Sequence, residues 1–304
     1  MRWPDRVTLW EVGPRDGLQN EAVTLCAEQK IAFIQDLVAA GVKHIEASSF
    51  VSPQWIPRLA DADEVCAALP RDAGVTYAAL VPNLRGLERA IAARIDVAAV
   101  FMSASETHNQ RNINKSIEQT LPLLTEVAKQ ARASGMRVRG YISTVFGCPY
   151  EGAVDVSTVR RIALTLLAGG VDEIALGDTI GVASPRQTEA VLEVLLRDVP
   201  ADRLALHMHD TRGAALANIL TGLEMGITRF DSSLGGLGGC PYAPGAAGNV
   251  ATDDLVHLLH GCQVHTGIDE VLLGEAGQHL SRELGKPLNS RMSQVLATEK
   301  GACS

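Results

Sequence analysis

The chain has 304 residues, of which 46% are hydrophobic, 20% charged and 4% aromatic, and 35 acidic against 27 basic side chains give a formal net charge of −8. This is the composition of a globular protein long enough to bury a sizeable core, so disordered and fibrous classes are excluded, and the acidic balance argues against nucleic acid as a partner. No stretch approaches the roughly 18 apolar residues of a membrane helix.

The first apolar run, 7–10, follows only six residues, Asp5 and Arg6 among them, which leaves no room for a signal or transit peptide. From there, short β-branched runs recur at 7–12, 44–48, 75–80, 97–102, 138–143, 173–176, 204–207 and 228–232, each bounded by turn residues. The segments between them read at helical period. In 27–40, Glu28, Lys30 and Asp36 fall on the wet side; in 116–134, Leu121, Leu124, Val127 and Ala131 face inward. Gly41, Gly135, Gly170 and Gly226 stand where left-handed helix caps are expected. Eight alternating β and α units predict a (β/α)8 TIM barrel over 1–266, with a doubly wound open sheet as the competing topology. Beyond it lies a C-terminal extension, 267–304, in which 269–284 reads as one more helix and 289–304 is too weakly patterned to assign. Val271, Leu272, Ala276 and Leu280 would form that helix's apolar face, covering the barrel or a second subunit, and a homodimer is expected.

Barrel enzymes carry their chemistry at the carboxyl ends of the strands. Those ends are rich in reactive groups: Glu11, Arg15, Asp16 and Gln19 after the first run, Glu46 and Ser48 in the second, Ser103 and Ser105 after the fourth. Ser143 and Thr144 follow the fifth, Asp178 and Thr179 the sixth, and His207, His209 and Asp210 the seventh. His207 and His209 are two apart on a strand, so both rings point to one face and can reach one ion; the structural alternative has one filling the barrel and the other capping a loop. With Asp16 at the same mouth the donors are mixed nitrogen and oxygen, which suits Mg or Mn, with Zn competing on affinity. Arg15, in a loop bent by Gly13, Pro14 and Gly17, offers a planar donor fork for an oxyanion. The stretch 235–240 has four glycines in its first five residues and ends on Cys240, which reads as a lid bearing a thiol, or as a plain surface loop. No Lys-Ser/Thr pair follows it, so it is not a phosphate loop. The six cysteines form no CxxC pair, which fits neither a disulfide framework nor a structural zinc site and points to a reduced, cytoplasmic compartment.

Arg15-Asp16-Gly17-Leu18-Gln19, Glu46, His207-Met208-His209 and the stretch Gly236-Leu-Gly-Gly-Cys-Pro-Tyr242 together resemble the 3-hydroxy-3-methylglutaryl-CoA lyase family of the DRE-TIM metallolyases. The resemblance runs over essentially the whole chain. It implies a divalent ion held by Asp16, His207, His209 and Asn249, Arg15 polarising a thioester carbonyl, Glu46 and Asp178 within the active site, and Cys240 as proton donor. The reaction implied is a retro-Claisen cleavage of a branched acyl-CoA, as in leucine breakdown and ketone-body formation, with Asp16 or His207 as base. Substrate contacts are expected from Arg15, Gln19, Ser49, Thr179 and Asn112; the last lies with Asn114 and Lys115 on the loop after the fourth strand, which reads either as a contact for the pantetheine or phosphates or as a plain solvated loop. This sequence departs from the family pattern where His-Cys-His becomes His-Met-His, where Ser233-Leu-Gly-Gly236 replaces Ser-Val-Ala-Gly, and where Asp253 stands for a glutamate. Two related activities compete: a lyase for a larger 3-hydroxy-3-alkylglutaryl-CoA, and an acyl-CoA condensing synthase, which usually carries a further C-terminal domain.

Overall fold

A computed structural model describes residues 3–71, 74–238 and 248–302, the last four without side-chain detail. The elements run β1 (Thr8–Glu11), α1 (Ala27–Ala39), β2 (His44–Ser49), α2 (Ala62–Ala67), β3 (Thr76–Leu80), α3 (Leu84–Ala92), β4 (Val97–Ser103), α4 (Glu106–Ile113) and α5 (Ile117–Ala133). There follow β5 (Arg137–Ser143), α6 (Val156–Ala168), β6 (Glu173–Asp178), α7 (Pro185–Leu195), β7 (Leu204–Met208), α8 (Ala215–Glu224), β8 (Arg229–Ser232), α9 (Thr252–Gly261), α10 (Glu270–Leu284) and α11 (Arg291–Ala302). Every strand pairs in parallel with its sequence neighbours, and β8 closes on β1 with Leu9 opposite Phe230. The predicted (β/α)8 barrel is therefore present, and the open sheet is excluded.

Gly41, Gly135, Gly170 and Gly226 all adopt the left-handed backbone, with φ between +82° and +105°, turning the chain back toward the next strand. Leu37, Ile45, Leu166, Ile174 and Leu206 lie in the main core between the helices and the barrel wall. The interior of the barrel is different. Small and aromatic side chains, among them Trp10, Ala99, Tyr141 and Ala205, leave space there for a buried ionic network. Arg139, 1% exposed, bonds Glu173 and Asp231 at 2.6 Å each and donates to the Tyr141 hydroxyl at 2.8 Å. Its guanidinium also lies over the rings of Trp10 and Tyr141. A buried cation tolerates such a place only when charged partners satisfy it from several sides.

Two expectations for the C-terminal extension change. The weakly patterned tail contains α11, whose few inward side chains (Met292, Leu296) explain the absent periodicity. Of the apolar face expected on α10, Ala276 and Leu280 are buried, joined by Leu273 and Leu284, whereas Val271 and Leu272 are exposed at 71% and 41%. The residues Asn112 to Lys115 are also not simply a loop, because α4 runs through Ile113 and Asn114 caps it with φ +54°.

At the amino end of the barrel, His44 packs on Trp10 with ring centroids 4.9 Å apart. Burial, aided by Arg137, Arg229 and Arg139, pushes its imidazole down to about 4. Its folded pKa thus lies below the unfolded one near 6.5, so the unfolded chain binds more protons between those values and stability falls as pH drops through that window. The loss attributable to His44 is at most about 3 kcal/mol. Denaturant midpoints measured from pH 7 to pH 4 should show this limb, and His44→Leu should flatten it; an unchanged slope contradicts the assignment.

Candidate active site

The carboxyl end of the barrel opens into a cavity of about 390 Å³. Arg15 and Asp16 reach it from a single π-helical turn, Gly13–Gly17, that follows β1. The amides of Arg15, Asp16 and Gly17 all converge on the carbonyl of Val12, and this tight winding presents the two charged side chains side by side. Arg15 is 7% exposed. Its Nη1 contacts Asp16 Oδ1 at 2.5 Å, and its Nε and Nη2 grip Glu46 Oε2 at 2.8 and 2.7 Å. The guanidinium also sits 5.7 Å from the centre of the Tyr141 ring. Held on three sides, it is a fixed cation. Burial opposes its charge, but Glu46 and Asp16 more than offset this and raise its pKa. Glu46 lies beneath, also bonded by the Tyr141 hydroxyl at 3.3 Å, and burial pushes its carboxyl upward against the pull of Arg15.

His207, on β7, and His209, just beyond it, project into the same cavity with ring centroids 5.3 Å apart, as their spacing predicts. His207 pairs in register with Asp231 of β8, and its Nδ1 meets Asp231 Oδ2 at 3.0 Å. That leaves Nε2 facing Asp16 Oδ2, 4.0 Å away. Donor atoms of Asp16, His207 and His209 all lie within 4.8 Å of one another. Asn249 bridges to His209 and donates Nδ2 to Asp16 Oδ2 at 2.8 Å and to the Leu237 carbonyl at 3.2 Å, keeping its own carbonyl oxygen as a donor atom for a cation. Gly238, at φ +93°, passes so close that a Cβ there would lie 2.6 Å from the Asn249 amide nitrogen.

These residues fit a divalent ion. The donor atoms are near enough for one ion at about 2.0–2.3 Å from each, and Nδ1 of His209 is buried with no hydrogen-bond partner among the described residues. An orphaned buried imidazole nitrogen needs such an account. Burial also drives His209 down to about 4, so the ring is neutral and its lone pair available near pH 7. For Asp16, burial would raise the carboxyl, but Arg15 and then the two histidines hold it well below the ordinary carboxylate range.

Gln19, Asn112 and Thr179 line the cavity; Thr179 Oγ1 accepts from the Thr144 amide at 2.7 Å. Ser49 and Asp178 do not line it. Ser49 is buried and accepts from the Val51 amide. Asp178 ends β6 with its carboxylate on the amides of Val182 and Ala183, shaping the loop that carries Thr179. Cys240 lies outside the described residues; of the expected lid, 235–238 are described and buried. The sequence reading did not single out Tyr141, Arg139 and Asp231 as site residues, nor the apolar wall of Val51, Trp55, Ile56, Leu80 and Phe101. The available signal was charge at alternate positions inside strands, which places Arg139, Tyr141 and Asp231 toward the barrel axis.

Fold and mouth together define a TIM barrel with a donor set for a divalent ion at the carboxyl ends of its strands. It belongs to the HMGL-like family, whose model matches residues 6–279. The hydroxymethylglutaryl-CoA lyase of Bacillus subtilis is 53% identical over 295 residues, covering 97% of this chain and 99% of its own. A Pseudomonas aeruginosa protein named 3-hydroxy-3-isohexenylglutaryl-CoA/hydroxymethylglutaryl-CoA lyase is 50% identical over 296 residues, with the same two coverages, 97% and 99%. The crystal structure of the Bacillus subtilis enzyme superimposes with a TM-score of 0.96 at 52% identity, over 98% of this chain and 100% of that one.

Proposed function

We propose that the chain cleaves 3-hydroxy-3-methylglutaryl-CoA to acetoacetate and acetyl-CoA, a reading supported by relatives named hydroxymethylglutaryl-CoA lyase. The observation that carries this is the Asp16, His207 and His209 donor set lying beside the immobilised Arg15 in one cavity. A divalent ion, Mg or Mn with Zn as a competitor, would be held by Asp16, His207, His209 and Asn249 and would supply Lewis acidity at the C3 hydroxyl. Asp16 or His207 takes the hydroxyl proton, and the electron pair of the C2–C3 bond passes to the thioester as an enolate. Arg15 receives the oxygen of that enolate, and Cys240 returns a proton to C2. Tyr141 and Glu46 keep Arg15 still, Asp231 keeps His207 in the tautomer that exposes Nε2, and Gln19, Asn112 and Thr179 contact the acyl-CoA.

Incubating the purified protein with 3-hydroxy-3-methylglutaryl-CoA and Mg should release acetoacetate; no release in Mg or Mn overturns the reading. Cys240→Ser should lower kcat by about 10²-fold or more while metal and substrate binding stay nearly intact. Binding lost in step with turnover would reduce that residue to a structural role.

A longer 3-alkyl substrate is a second reading. The apolar wall formed by Val51, Ile56, Leu80 and Phe101 and the double name of the Pseudomonas aeruginosa relative support it, and turnover of the isohexenyl homologue tests it. No helix among the described residues is long and apolar enough to cross a membrane, and we place the enzyme in the cytoplasm, active in leucine breakdown. The exposed Val271, Leu272 and Val295 of α10 and α11 support a homodimer through the 267–304 extension.

A further inference from the structure

We infer that Glu11 is a positioning residue for the metal centre, a single buried carboxylate that sets the spacing between the Asp16 turn and the Asn249 segment. Glu11 ends β1 and is 1% exposed. Its Oε1 accepts from the Gly13 amide at 2.8 Å and the Leu234 amide at 3.0 Å, and its Oε2 accepts from Thr252 Oγ1 at 2.6 Å. The three donors belong to three segments: the turn after β1, the stretch just after β8, and the start of α9. Gly13 opens the turn that carries Asp16. Leu234 begins the strap that leads to Leu237, whose carbonyl receives the Asn249 amide. Thr252 is the first residue of α9, three positions past Asn249, and its hydroxyl also meets Ser232 Oγ at 2.8 Å.

The side-chain partners of Glu11 are Gly13, Leu234 and Thr252 and none of the four ligands, so its influence passes through backbone position. The strap is held from its other side as well. Asp253 accepts from the Gly235 amide at 3.1 Å, and the Asn289 amide, in the link from α10 to α11, donates to the Gly235 carbonyl at 3.1 Å. The strap is thus fixed relative to α9 and the extension, and Glu11 locks its start to the start of the turn bearing Asp16, while the Asn249 amide joins Leu237 to Asp16 itself. Outer partners of this kind typically change metal affinity by about 10–100-fold, because an ion binds best to ligands already at their final separation.

This inference rests on reading Asp16, His207, His209 and Asn249 as a metal centre, and its test separates the two. Metal-free protein is titrated with Mn²⁺ by calorimetry in the absence of substrate. Wild type that binds no Mn²⁺ sinks the metal centre, and the inference with it. If wild type binds, Glu11→Leu, similar in size but without acceptors, should bind about 10–100-fold more weakly. Glu11→Gln keeps one oxygen for both amides and an NH2 to donate to Thr252, and should stay within about threefold of wild type. Unchanged affinity in Glu11→Leu, or equal weakening in Glu11→Gln, overturns the positioning role alone. If Glu11→Leu does not fold, Thr252→Val decides: removal of one of the three ties should weaken Mn²⁺ by less than about tenfold but measurably, and wild-type affinity there overturns the inference.

Discussion

Arg15→Met is expected to lower kcat by about 10²–10³-fold with little change in KM. The guanidinium is already immobilised by Glu46, Asp16 and the Tyr141 ring, so meeting the charge that develops on the thioester oxygen needs no reorganisation. That condition is what makes a donor worth roughly 3–4 kcal/mol in a transition state when it is worth far less in water. Methionine occupies much of the arginine stem's volume, so packing survives the change. Glu46 loses its partner, but burial already pushes its carboxyl upward, and it answers by taking up a proton instead of standing as a bare buried charge. The loss should therefore appear in turnover and much less in the melting temperature. Steady-state kinetics, a thermal melt and an Mn²⁺ titration on the same variant check this. A change confined to KM would move Arg15 to CoA binding, and a collapse of Mn²⁺ affinity would show that its hold on Asp16 matters more than its charge.

How much of this was legible in the sequence varies from residue to residue. The strands were legible because each is a β-branched run followed by a period-3.6 helix and a capping glycine, and local chemistry alone sets those signals. Asp16, His207 and His209 were legible because they stand at strand ends, where the fold class itself says to look. Arg139 and Asp231 were less so, since they sit inside strands and meet only when the barrel closes, across 92 residues of chain. At Asp178, β6 extends two residues beyond the run read in the sequence, and the carboxylate there serves the backbone of the following loop, a local role that the resemblance does not state. Helix α11 escaped because most of its described side chains face solvent, so the apolar repeat that marks an amphipathic helix is missing.

His209→Ala is expected to abolish turnover through lost metal affinity, with little effect on the metal-free fold. The two histidines differ in what holds them. His207 is tied to Asp231, itself bonded to Arg139, so replacing it disturbs the buried network as well as the ion. His209 Nδ1 has no hydrogen-bond partner among the described residues, and removing that ring leaves no buried acceptor or donor stranded. Metal-free wild type and His209→Ala should therefore melt within a few degrees of each other. Added Mn²⁺ should separate them. An ion that binds only the folded chain stabilises it by about 2.7 kcal/mol at a hundred times its Kd, so the wild-type transition moves up. The variant, its Mn²⁺ binding weakened by more than about 10²-fold, should hardly respond at the same concentration. A metal-induced shift of wild-type size in His209→Ala would remove this residue from the ligand set, and full turnover by chelator-treated wild type would remove the ion from the chemistry altogether.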